Sequence, residues 1–320
     1  RVHIGTQNLK AAFGERFTPQ QRRRIIYRSF RNLGAGVLEM LRLPVMDPAY
    51  RERYIEMAPP GAFEGAMASE RPVIWLTGHF GNWELSSIAA ALRGHPIVAV
   101  ARAQDQFPKL YQLLVSYRES KGCHVAHKGN AMRQILRALQ RKEVVGIVGD
   151  QATRQGIWVE FFGRPALFAT GPFELARATN ALIVPAFIAR LGGPSHRIMI
   201  EPPIDLSQYA GTPQEAVRAG VEQFAAYLAA RIDAAPQQWL WTHKRWKRTP
   251  QRRVVVLSDG KLGHLKQSLT VVEALRERHR DLRERVIEVR YRHPLTRMLA
   301  VLWAWGAPSG WGALACLRLA

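Results

Sequence analysis

Cysteine is nearly absent: the chain has two, Cys123 and Cys316, far apart and in unlike surroundings. That spacing excludes a disulfide-stapled scaffold and a cysteine zinc site, and it points to a reducing compartment. Acidic side chains are scarce too, 25 against 46 lysines and arginines, for a net charge of +21. Such an excess calls for a polyanionic partner or surface, and nucleic acid, anionic lipid head groups and an acidic carrier protein all qualify. An unbroken apolar stretch of membrane-spanning length is also missing. The most apolar segment, 298–320, is interrupted by Gly306, Pro308, Ser309 and Gly310, so it reads as core or as surface-associated helix pieces. The chain opens at Arg1 without a methionine, so any signal or anchor upstream of it is out of view.

What is present is enough for a core. With 320 residues, 47% of them hydrophobic, the chain can build one large domain or two ordinary ones. Short apolar runs at 73–76, 97–100 and 144–148 read as strands, with helical patterns between them at 85–92, 107–120 and 131–139. Strands alternating with helices predict an α/β fold with a mixed, largely parallel sheet flanked by helices. From Gly156 onward an aromatic-rich extended stretch is followed by a helix over 172–179, strands over 182–189 and 198–200, and a helix over 213–232.

Two segments carry the basic charge in patterns that admit more than one reading. Thr18 and Pro19 open a helix over 20–43 in which Ile26, Phe30, Leu33, Val37 and Leu41 follow helical spacing and five arginines cluster at the start. That pattern suits a helix on an anionic membrane and a core-packing helix equally. In 239–248 tryptophans alternate with basic residues. Such a segment fits a nucleic-acid surface, a lipid interface, or indoles that close the core under solvated charges. Residues 249–252 form a polar link between a domain at 1–248 and an incomplete second α/β unit at 253–320. The latter starts with the strand 254–257, a glycine-bearing turn, a helix over 267–276 and a strand over 286–289.

The chemistry converges on strand ends. His79 follows the first strand on a glycine-flanked turn, with Asn82 placed to cap the next helix and Glu84 in its first turn. A carboxylate one helical turn away can fix the imidazole tautomer and make His79 a general base, although a first-turn Glu84 also complements the helix dipole on its own. Arg102 follows the second strand and Asp150 the third, and polar groups at strand carboxyl ends are what an α/β active site uses. Arg118 and Arg164 add cations suited to a phosphate or an oxyanion.

Several blocks carry a resemblance: His79-Phe80-Gly81-Asn82-Trp83-Glu84, then Gly149-Asp150-Gln151, then Phe161-Phe162-Gly163-Arg164-Pro165-Ala166 with Thr170-Gly171, and the closing 239–247. Asn8, Leu9, Phe13, Asn32, Leu33, Gly34 and Glu39 add to it. Through these, residues 1–248 resemble the late lipid A acyltransferases, the lauroyl/myristoyl transferase family within the glycerolipid acyltransferase-like group. The resemblance implies transfer of a fatty acyl group from an acyl carrier protein or coenzyme A thioester to a hydroxyl of a lipid A precursor or related membrane lipid. A lysophospholipid, amino-acid lipid or mannolipid acceptor, or a nucleic-acid-binding protein, is the alternative.

It implies His79 as base with Glu84 orienting it, and substrate contacts from Arg102, Arg118, Asp150, Gln151, Phe162, Gly163 and Arg164. No metal or other cofactor is needed, because the thioester is already activated. The implied location is the cytoplasmic face of a bacterial inner membrane, with an anchor upstream of Arg1. Ser258-Asp259-Gly260-Lys261-Leu262-Gly263-His264 and Gln267-Ser268-Leu269 make residues 253–320 similar to the start of a mitochondrial-fission-protein-like family with a glycosyltransferase-type fold.

Overall fold

The computed structural model describes residues 1–100, 106–126, 130–250, 252–278, 282–291 and 317–319. Cys316 and most of the apolar segment 298–320 lie outside them. The chain divides into two compact units, Arg1–Arg248 and Thr249–Ala320.

The first unit begins with α1 (Val2–Phe13) and α2 (Pro19–Leu41). Helix α2 starts where its sequence signals place it, on a capping box between Thr18 and Gln21 with Pro19 at the first position. Helix α1 has no such signals: its start lacks a side-chain cap and Gly5 lies inside it. Tertiary contacts hold it instead, since the Asn8 amide donates to the carbonyls of Trp241 and His243, each at 2.7 Å. The expected apolar face of α2 needs correction. Ile26 is buried, but Val37 and Leu41 are exposed. In its second half the helix turns Gly36, Glu39 and Met40 inward, because part of the surface it meets there is a polar turn rather than core.

Helix α3 (Pro48–Tyr54), strand β1 (Ile55–Ala58) and helix α4 (Ala62–Met67) lead into β2 (Val73–Thr77). Then follow α5 (Trp83–Ala91), β3 (Ile97–Val100), α6 (Pro108–Glu119), β4 (Cys123–Ala126), α7 (Ala131–Gln140) and β5 (Val144–Val148). The aromatic stretch after Gly156 is an antiparallel hairpin of β6 (Ile157–Glu160) and β7 (Pro165–Phe168). Helix α8 (Gly171–Thr179), strands β8 (Leu182–Gly192) and β9 (Ser195–Ile200), and helix α9 (Pro213–Ala234) complete the unit.

Seven strands form one sheet in the order β1-β9-β8-β2-β5-β3-β4. Neighbours run parallel except β8 and β9. Strand β2 is the middle one and is buried along its whole length, as its unbroken apolar run requires of a strand covered on both faces. Alternation sorts its side chains. Ile74 and Leu76 join the core under α8 and α9, while Val73 and Trp75 join the core under α5. The mixed, largely parallel sheet flanked by helices is therefore the observed fold.

The second unit has β10 (Arg252–Ser258) parallel to β11 (Leu282–Tyr291), with α10 (Leu262–Arg278) packed on them through Val256, Val272 and Leu282. A short β12 (Leu317–Leu319) pairs antiparallel with β11.

Gly81 fixes how the chain leaves β2. Its φ is +58°, and a Cβ there would lie 1.7 Å from the Ile188 carbonyl oxygen of β8. The strain of a left-handed side chain adds to a backbone overlap that cannot relax. Gly81→Ala is expected to destabilise the first unit by about 3 kcal/mol or more, read as a lower urea midpoint; a midpoint equal to wild type would contradict this packing.

Candidate active site

The parallel pairing of β2 with β5 sets Thr77 opposite Val148. Two residues beyond each strand end stand His79 and Asp150, so the register alone brings them side by side at the carboxyl edge of the sheet. The Gly149 amide donates to the Thr77 carbonyl at 2.8 Å and keeps the two ends together.

Asp150 is fully buried. Its Oδ1 accepts from His79 Nδ1 at 2.5 Å, and its Oδ2 accepts from the His79 backbone N–H at 2.9 Å and from the Trp239 indole N–H at 2.7 Å. Burial opposes the charged carboxylate, but the adjacent imidazole, its hydrogen bond and the Trp239 donor outweigh it and hold Asp150 well below the usual carboxylate range. An ionised carboxylate only accepts, so the proton of neutral His79 sits on Nδ1 and the lone pair on Nε2. Toward that lone pair points the Gln151 side-chain amide, 3.1 Å away. Burial pushes the His79 imidazole down, yet the charge and hydrogen bond of Asp150, with a smaller contribution from Glu84, raise it above its ordinary value.

The expected His79–Glu84 pair is thus replaced by a His79–Asp150 pair. Glu84 accepts from Arg118 Nε at 2.9 Å and touches His79 only through its field. The physical reason is direction. Glu84 rides on the first turn of α5 and faces α6, whereas the parallel neighbour of the β2 end lies in the plane of the sheet. Asp150, expected among substrate contacts, is sealed from solvent and uses both oxygens within the protein. Arg118 is buried and committed to Glu84. Gln151 stands at His79 Nε2. Phe162 and Gly163 have positive φ and, with Arg164, turn the β6–β7 hairpin; Phe162 packs on Phe13 and Phe161. Phe161, which precedes the turn, has its ring 6.1 Å from that of Trp239. Arg102 lies outside the described residues.

Three participants escape a reading by spacing. Trp83 meets the His79 ring edge to face at 4.7 Å. Trp239 supplies a donor to Asp150, and His243 stands 6.1 Å from His79, its imidazole pushed down by burial and its Nδ1 donating to the Leu240 carbonyl. For Trp239 and His243 the signal was the tryptophan-rich closing block, whose role depends on burial. Trp239 and Trp241 are wholly buried and Trp246 is 9% exposed, so they close the core and are not available to stack bases or lie in a lipid interface. Arg245 beside them is 1% exposed and sits 4.0 Å above the Phe168 ring, its guanidinium lowered by burial to about 10 and still a cation.

A neutral imidazole with its outward nitrogen unprotonated can accept a proton from a hydroxyl, and comparison with known proteins gives the family of the chain. The model of the bacterial lipid A biosynthesis acyltransferases matches residues 1–248. The chain belongs to that family. It is an O-acyltransferase. A phosphatidylinositol mannoside acyltransferase of Mycobacterium tuberculosis (strain CDC 1551 / Oshkosh) is 26% identical over 225 residues, covering 68% of this chain and 69% of its own. The lipid A biosynthesis lauroyltransferase of Escherichia coli K12 is 23% identical, with 78% and 80% covered. The palmitoleoyltransferase of the same organism is 24% identical over the same shares. Acyl transfer to a lipid is the chemistry common to this family and these relatives.

An imidazole accepts a proton only when neutral, so activity that uses His79 as a base should fall as pH drops through a pKa that Asp150 holds above the ordinary imidazole value. Asp150→Asn removes the charge that raises it. The acid limb of kcat/KM should then move to lower pH while the plateau falls on the order of 10²- to 10⁴-fold. A limb that stays in place would contradict the pairing.

Proposed function

We propose that the acyltransferase moves a fatty acyl group from an acyl carrier protein or coenzyme A thioester to a hydroxyl of a lipid A precursor or related membrane lipid, with His79 as general base. The observation that carries this reading is the division of labour on one ring: Nδ1 is committed to Asp150 and Nε2 is left to accept. His79 Nε2 takes the hydroxyl proton as the acceptor oxygen attacks the thioester carbonyl. The ester C–O bond forms, the C–S bond breaks, and the imidazolium returns its proton to the leaving thiolate. Asp150 stabilises the imidazolium in between. The Glu84–Arg118 pair braces α5 against α6 at the rim, and Gln151 is displaced from Nε2 by the incoming hydroxyl.

Both proposed partners are anionic, which suits a chain of net charge +21. Among the described residues no helix is long and apolar enough to cross a membrane. Exposed Tyr27, Val37, Leu38 and Leu41 on α2, with Arg23, Arg24, Arg28 and Arg31 on the same helix, support an approach to a lipid surface from the cytoplasmic face of a bacterial inner membrane. The mannoside acyltransferases among the relatives favour a second acceptor, a phosphoinositol mannolipid.

Labelled acyl-carrier-protein and acyl-coenzyme A thioesters, each offered with a lipid A precursor and with a phosphatidylinositol mannoside, separate these options. His79→Ala and Asp150→Ala should each lose on the order of 10² to 10⁴ in rate, and Glu84→Gln less. Undiminished transfer in His79→Ala would overturn the reading.

A further inference from the structure

Helix α2 presents a second, inward face that the proposed mechanism does not use. Ser29, Asn32, Gly36 and Glu39 recur at helical spacing and therefore form one stripe. Each meets the machinery around His79. Ser29 Oγ donates to the Trp239 carbonyl at 2.6 Å, and the Asn32 amide donates to the Gln237 carbonyl at 3.1 Å. Gly36 packs beside Asn82, whose side-chain amide a Cβ there would meet in ordinary contact at 3.5 Å. Glu39 accepts from Asn82 Nδ2 at 2.7 Å.

Glu39 is the most constrained of the four. It is 8% exposed and accepts from the two terminal guanidinium nitrogens of Arg190 on β8, at 2.5 and 2.7 Å. His196 Nε2 lies 3.5 Å from the same carboxylate. Arg190 is itself tied to the catalytic side: its N–H donates to Gln238 Oε1 at 3.3 Å and its carbonyl accepts from Gln238 Nε2 at 2.9 Å. The Gln238 carbonyl in turn accepts from Gly81 N–H at 2.8 Å. Buried ion pairs add little net stability over apolar packing, and their better attested use is to fix one arrangement among several. Here the arrangement is that of Asn82, whose Oδ1 caps α5 at Leu85 N–H while its Nδ2 is spent on Glu39. Both ends of that amide are assigned, so the turn from His79 to Glu84 is held at one orientation.

We infer that Glu39 is a positioning residue for acyl transfer: through Asn82 and Arg190 it seats the His79 turn against the segment that carries Trp239, and it makes α2 the strut of the site. This rests on the reading of His79 as general base. A displacement of about 1 Å far from the chemistry can cost on the order of 10²-fold in rate.

The test uses the full chain with labelled palmitoyl thioesters and vesicles of total bacterial lipid. Glu39→Ala should lower kcat on the order of 10²-fold with KM within about threefold of wild type. Glu39→Gln, whose amide oxygen still accepts from Asn82, should keep kcat within about tenfold of wild type. Should Glu39→Ala fail to fold, Asn82→Ser retains a cap for α5 but cannot reach Glu39, and it should show the same loss in kcat. Wild-type kcat in folded Glu39→Ala or Asn82→Ser, or losses that match only the unfolded fraction by circular dichroism, would overturn the inference. If wild type transfers nothing, the reading of these thioesters and lipids as its substrates fails instead. Amide exchange over Gly81 to Leu85 then decides the positioning, faster in the folded variants if Glu39 holds the turn and unchanged if it does not.

Discussion

A carboxylate with no access to water must be surrounded by donors, because removing an ion from water costs several kcal/mol that only good hydrogen bonds and a nearby positive charge offset. Asp150 is in that position, and its donors come from two places in the chain: the backbone and ring of His79, and the indole of Trp239. Satisfying it ties together the central strand pair, the turn after β2 and the closing tryptophan block. The same set of bonds fixes the proton of neutral His79 on Nδ1. Solvation of one buried anion and selection of one imidazole tautomer are therefore a single structural event.

The sheet was largely legible because its strands are short apolar runs between helical patterns, and β2, β3 and β5 sit where those runs predict them. The elements that were not legible lack local signals: α1 has no capping side chain, and β1 is a short edge strand that exists through its pairing with β9. His79 stood out because a glycine-flanked polar residue at a strand end is unusual. Asp150 stood out as well, as a polar residue at another strand end, but its pairing with His79 did not. Glu84 is close in sequence, and spacing along a helix favours it, whereas Asp150 is 71 residues away and becomes a neighbour only through parallel register. Trp239 was ambiguous for a related reason, since an indole among basic residues can face water, lipid or core, and only its 0% exposure decides.

The polar stripe of α2 shows how one helix serves two environments. Its inner face carries small and hydrogen-bonding residues because what it packs against is backbone and amide, while its outer face leaves Val37, Leu38 and Leu41 exposed. Helical spacing places Val37 and Leu41 in the apolar stripe, whereas the structure leaves both exposed and buries Glu39 against Asn82 and Arg190.

The central claim, that Asp150 rather than Glu84 sets the state of His79, is tested most directly by nitrogen-15 NMR of the histidine side chains in wild type, Asp150→Asn and Glu84→Gln. A neutral His79 protonated on Nδ1 and titrating above the ordinary imidazole value is expected, with a larger downward shift in Asp150→Asn than in Glu84→Gln. Protonation on Nε2, or a pKa that follows Glu84 and ignores Asp150, would contradict it.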